Sequence, residues 1–113
     1  MIRFLGMYTN DYAFTDNNGR EVKGTKCDVS FELLGEDARN GQIGRQGITI
    51  KADPARLRFV GKKAAAPIAE LVGLPCEYQV DTTKAGKVTE DVVVKIRILD
   101  GYIDEATGEF VEE

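Results

Sequence analysis

The side chains best placed for chemistry lie in one short stretch, "YAFTDNNGREVKGTK", residues 12–26. Tyr12 and Phe14 precede a turn signal, and Arg20, Lys23 and Lys26 follow it. Flat rings beside long cations suit one kind of ligand. Bases stack on the rings at about 1–3 kcal/mol each, while the cations track a phosphate backbone. That is binding chemistry, with no bond made or broken. Further cations recur at turns and strand ends: Arg39 and Arg45 in a glycine-rich loop, Lys51 after a strand, Lys62 and Lys63 in "GKK", and Lys84 and Lys87 around the last turn. Phe59, in "RLRFVGKK", either plugs the bottom of a core or lies in a groove among Arg56, Arg58 and Lys62. The plainer reading is ordinary surface. Lys and Arg at turns serve solubility equally well, and Tyr8 and Phe14 fit a core at least as well as a stacking platform.

Catalysis has little to work with. There is no histidine, the usual neutral-pH base and commonest transition-metal ligand. Two isolated cysteines, Cys27 and Cys76, form no CxxC zinc site. Both fall in apolar strand patterns and read as buried small hydrophobes, a disulfide or reactive thiol being the alternative. The glycines of "GEDARNGQIGRQG" match neither the P-loop nor GxGxxG. Glu36 and Asp37 sit side by side in a loop that nothing holds rigid. Glu90 and Asp91 are neighbours in a strand, so they point to opposite faces. The expectation is a protein that is not an enzyme and uses no cofactor or metal.

The elements that must position these residues read as strands. "IRFLGMY" puts Ile2, Phe4 and Tyr8 on one face and Arg3, Leu5 and Met7 on the other, with Gly6 marking a bulge. Asn18-Gly19 signals a two-residue type I′ turn. "TKCDVSFEL" alternates Cys27, Val29, Phe31 and Leu33 against polar residues, one face buried and one wet. Gly24 interrupts it as Gly6 interrupts the first, which suggests a strongly coiled hairpin. "GEDARNGQIGRQG" is a loop, "ITIKA" a third strand, and "DPARL" one helical turn. "KKAAAPIAELVG" reads as a helix with Pro67 in its first turn and Gly73 past its end. "LPCEYQVD" and "KVTEDVVVKIRIL" are the last two strands, joined by a turn at "TTKAG". Phe4, Phe31 and Tyr78 lie on apolar strand faces and belong to the core.

The order is β-β-β-α-β-β. An all-β chain with one short helix must manage its sheet edges, and barrel closure is one way. The expected fold is a five-stranded OB-like barrel, with an SH3-like barrel or an α+β roll as rivals. In an OB barrel the first and last hairpins flank a ligand face formed by the second and third strands. The scattered cations would converge there.

Charge divides the chain unevenly. Of 113 residues with net charge −4, residues 100–113 hold six acidic side chains and no basic one, leaving 15 basic and 13 acidic in residues 1–99. A barrel domain over 1–99 and a mobile acidic tail over 100–113 are expected, although "GYIDEATGEFV" also suits a loose hairpin around Thr107-Gly108. The tail is either a solvated end or a competitor for the basic groove. No apolar run approaches the roughly 20 residues of a membrane span. The N-terminus lacks the pattern of a signal peptide, so a cytoplasmic protein is expected.

The order of elements, "FTDNNGREVKGTKCDVSFEL" and the acidic C-terminus together resemble small OB-fold single-stranded DNA-binding proteins of phages and mobile elements. The resemblance spans the pattern of residues 1–99 and the charge of the tail. It implies a sequence-tolerant hold on single-stranded DNA in replication or recombination, in host cytoplasm, with protein partners recruited by the tail. The ending "EFVEE" departs from the acidic-then-Pro-Phe terminus of the bacterial housekeeping version, which puts that recruitment in doubt. The competing readings are a protein–protein adaptor or phage structural component on a small barrel, then an RNA-binding barrel. The oligomeric state stays open, a dimer included.

Overall fold

The computed structural model describes residues 1–85 and 87–113, Ala85 by its backbone. Among the described residues strands take 58 % against a single four-residue α-helix, so the protein is mostly β. β1 (Ile2–Thr15) and β2 (Glu21–Leu33) form a long antiparallel hairpin, and β3 (Gln46–Lys51) pairs with the far side of β2. β4 (Arg58–Val60) is short. β5 (Pro75–Ala85) and β6 (Val88–Ile98) form a second long hairpin, with β4 parallel to β6. The six strands make one mixed sheet in the order β3-β2-β1-β5-β6-β4.

The expected five-stranded closed barrel is therefore corrected to an open six-stranded sheet. Among the described residues, β3 returns toward β6 only by an isolated parallel bridge between Ala52 and Val93. β1 and β5 share only two residue pairs, Ile2 with Cys76 and Arg3 with Pro75. The sheet is thus two hairpins joined at their roots. Their outer halves project, which gives extents of 55 × 35 × 21 Å and a radius of gyration of 16.6 Å, against about 13 Å for a compact chain of this length.

The core lies between the roots. Phe4, Val29, Phe31, Cys76, Val93, Ile96 and Ile98 are buried there, with Leu71 of the helix. Phe31 stacks on Tyr78 at 4.7 Å and meets Phe4 edge-on at 6.3 Å. Among the described residues, no helix is long and apolar enough to cross a membrane.

Four local expectations change for physical reasons. The helix over 62–73 is split. Lys62–Ala65 form a 3-10 turn, Ala66 is extended, and only α1 (Ile68–Leu71) is α-helical. Pro67 causes the break, because its ring drives the preceding residue out of the α region. The turn at Asn18-Gly19 is not type I′, since only Gly19 has positive φ. The Asp16 carboxylate instead accepts from the backbone N–H groups of Asn18 at 2.9 Å and Arg20 at 2.8 Å, which favours a wider loop. Of the turn expected at "TTKAG", residues 82–85 continue β5, and Gly86 lies outside the described residues. Where the sequence suggested a mobile acidic tail, β7 (Gly101–Ile103) and β8 (Phe110–Glu112) pair as a small hairpin around Thr107-Gly108. Ile103 is buried, Glu105 is salt-bridged to Arg3, and Glu113 lies 3.6 Å from Lys63.

Candidate nucleic-acid interface

The site is built on the outward face of β1. Its geometry follows from the glycine bulge near the root. Phe4 pairs with Phe31, but the next pair is Gly6 with Ser30, so one extra residue enters β1. An extra residue reverses which side chains face inward. Met7 then faces the core opposite Val29, while Tyr8, Asn10, Tyr12 and Phe14 face outward. Tyr8, Tyr12 and Phe14 are 56 %, 43 % and 54 % exposed, which makes them surface groups. Continuing the alternation of Ile2 and Phe4 unbroken placed Tyr8 in the core. The bulge signal at Gly6 was legible, and its effect on parity was the missing step.

Tyr12 is held flat by its neighbour. It pairs with Gly24 on β2, and a Cβ there would stand 2.3 Å from the phenol oxygen. Only glycine leaves room for the ring across the strand. Phe14 stacks beside it at 6.1 Å with 24° between the planes. The result is a two-ring shelf with a third ring, Tyr8, further down the strand.

Two cations share this face. Lys26 is opposite Asn10, and Lys51 of β3 is opposite Asp28, itself opposite Tyr8. Both are matched by carboxylates. Lys26 lies 3.8 Å from Asp28, and Lys51 donates to Glu90 of β6 at 2.8 Å. The bond to Glu90, then its charge, raises the Lys51 ammonium above its ordinary range, and the nearby Tyr12 hydroxyl adds in the same direction.

The other expected site residues fall elsewhere. Arg20 is exposed at the tip of the first hairpin. Lys23, opposite Ala13, is on the reverse face with Glu21 at 3.3 Å. Arg45 is near the root, 3.5 Å from the buried Glu32 that also faces Arg3. Phe59 packs on the core with its edge to Phe4 at 5.5 Å, so it is no groove residue. Lys62 follows β4, and Lys84 and Lys87 belong to the second hairpin. Tyr12, Phe14, Lys26 and Lys51 are brought together with Tyr8, and the remaining cations are dispersed. Sequence reasoning also passed over Lys95 and Arg97, which occupy the polar positions of an otherwise apolar strand.

Burial keeps the thiols out of this chemistry. Cys76 is pushed up to about 12 by desolvation and then by the Glu77 charge. Cys27 is raised by burial, with Asp28 and Asp53 adding to it. Both are free, buried and protonated at neutral pH, which makes them poor nucleophiles.

Comparison with known proteins gives no matching family model, no matching curated relative and no matching solved structure.

Proposed function

We propose that this protein binds single-stranded DNA without reading its sequence, by stacking bases on the outward rings of β1. The observation that carries this is the row Tyr8, Tyr12 and Phe14, exposed on one face of one strand. Large rings normally seek burial, and here a bulge and a glycine hold three of them toward solvent. Stacking of this kind is sequence-tolerant because every base has a π-face. Lys26 and Lys51 stand beside the rings where a backbone would run.

The strand order supports the same reading. β3-β2-β1-β5-β6, a helix between β3 and β5, and the Ala52–Val93 bridge fit an OB-type barrel that has opened. In that fold the face of strands two and three and its flanking hairpins take oligonucleotides. One observation favours the adaptor instead. The cations on this face have carboxylates within reach, which weakens the field a polyanion would feel.

Titration with oligo-dT at low salt separates the two. The chain has no tryptophan, so tyrosine emission can be followed, and two of its four tyrosines, Tyr8 and Tyr12, lie in the site. Binding that quenches this emission and weakens with salt is the expected result. No binding at low salt overturns the proposal in favour of a protein ligand.

A further inference from the structure

The outer face of β5, β6 and β4 carries a cation cluster of a different kind. On β6, Lys95 and Arg97 alternate with the buried Ile96 and Ile98. The parallel partner β4 sets Arg58 opposite Lys95. β5 sets Gln79 opposite Lys95 and Glu77 opposite Arg97. Among the described residues, none of Arg58, Lys95 and Arg97 has a carboxylate within 4.0 Å, Glu77 included, whereas Lys26, Lys51 and Arg45 each have one. Like charges directly across a ladder destabilise it. Arg58 and Lys95 oppose each other across the ladder, and with Arg97, which no described carboxylate reaches within 4.0 Å although Glu77 stands opposite, they form a standing demand for an anion.

The spacing selects a chain of anions over a single one. Lys95 and Arg97 are two residues apart along a strand, about 6.7 Å, and Arg58 stands one strand away, about 4.8 Å. An extended backbone with a charge on every unit can meet all three in succession. Beside them runs a groove of about 250 Å³ lined by Glu77, Tyr78, Gln79, Lys95 and Arg97. The only ring there, Tyr78, is turned inward against Phe31 at 4.7 Å. Bases find no platform in that groove, so the contact there is with phosphates.

We infer that this face is a second track for the same single strand, gripping its phosphates after the strand leaves the rings of β1. The inference rests on the proposed function and extends the footprint to a face opposite in character.

The test uses the full chain with Arg58→Gln, Lys95→Gln and Arg97→Gln combined, against oligo-dT of about 6 and about 25 nucleotides, one near the low end and one beyond the high end of the roughly 4–16 nucleotides that one OB fold occupies. The short oligomer fills the ring shelf alone, and its affinity is unchanged in the variant. For the long oligomer the slope of log affinity against log salt falls by about 2, three times the single-strand value of about 0.7 per phosphate. Should the triple variant fail to fold, Arg97→Gln alone lowers the long-oligomer slope by about 0.7. An unchanged long-oligomer slope overturns the second track and leaves the ring shelf standing. Equal weakening for both oligomers also overturns it, since the cations would then belong to the first site. A wild-type protein that binds neither oligomer removes the proposed function and this inference together.

Discussion

The two long hairpins share a backbone plan and differ in what they carry. β1–β2 and β5–β6 are each antiparallel, and each is bulged near the core, at Phe4/Gly6 and at Gln79/Val80. Beyond the bulge they diverge. The first turns Tyr8, Tyr12 and Phe14 to solvent. The second presents Asp81, Thr82, Thr83, Lys84, Thr89, Glu90 and Asp91, with no ring. Its carboxylates reach to other elements, Glu90 to Lys51 and Asp81 to Arg56, which also bonds Asp53 at 2.7 Å. The Arg56 bond holds the Asp53 carboxyl below the usual range, with smaller help from backbone donors. One hairpin offers a platform and the other acts as a strap. A shared geometry therefore says little about function, and the outward side chains decide it.

The sharpest way to break the comparison is at the common root. Phe31→Ala removes the ring that touches both Phe4 of the first hairpin and Tyr78 of the second. A buried Phe→Ala costs about 3–5 kcal/mol. Chemical denaturation followed by circular dichroism is expected to show one transition, shifted by that amount. Two separated transitions would mean that the hairpins stand independently.

What the sequence disclosed follows the same division. Local alternation located both hairpins, because Cys27, Val29, Phe31 and Leu33 on β2 and Ile96 and Ile98 on β6 repeat with period two. It did not disclose that the sheet stays open, because the two-residue pairing of β1 with β5 and the single bridge from Ala52 to Val93 are set by the whole chain. β4 escaped notice since three residues, Arg58–Val60, are too few to establish a period. The hairpin at 101–112 was legible in Thr107-Gly108. Its docking was not, because the contact between Glu105 and Arg3 spans nearly the full sequence. At the site, Tyr12 and Phe14 were legible as rings before a turn. Tyr8 was hidden by a parity change that one glycine introduces, and the carboxylate partners of the cations come from distant strands.

Next in size is the platform itself. Tyr12→Ala and Phe14→Ala are each expected to weaken oligo-dT binding by about 1–3 kcal/mol. Neither ring is in the buried core, so the melting temperature stays close to the wild-type value. Thr83→Ala on the second hairpin leaves binding unchanged. Equal losses from both hairpins would erase the distinction between platform and strap.

The strap is sharpened by Glu90→Gln. This change releases Lys51 from a bond of 2.8 Å and leaves a neutral side chain of the same size. A freed Lys51 neutralises one more phosphate, so the slope of log affinity against log salt steepens by about 0.7, with tighter binding at low salt. An unchanged slope in calorimetric titrations across salt would show that Glu90 does not mask the lysine.

The smallest effect is expected at Gly24, and it asks whether the rings must be held or merely present. Gly24 lacks positive φ, so alanine meets no backbone strain there. Alanine also loses less conformational freedom on folding, an advantage of about 0.5–1 kcal/mol over glycine inside a strand. Against this, its Cβ falls 2.3 Å from the Tyr12 oxygen and 2.5 Å from the adjoining ring carbon. The obstruction is the far end of a flexible side chain, so the ring swings aside while the strand stays. The two terms oppose each other, and Gly24→Ala is expected to change stability by less than about 1 kcal/mol. Binding responds differently. A displaced Tyr12 no longer lies flat beside Phe14, and the stacking surface loses part of one contact, less than Tyr12→Ala loses in full. The double variant with Tyr12→Ala is then no weaker than Tyr12→Ala alone, because the glycine acts only through that ring. Full wild-type affinity in Gly24→Ala would show that the tyrosine finds its ligand without the glycine beneath it.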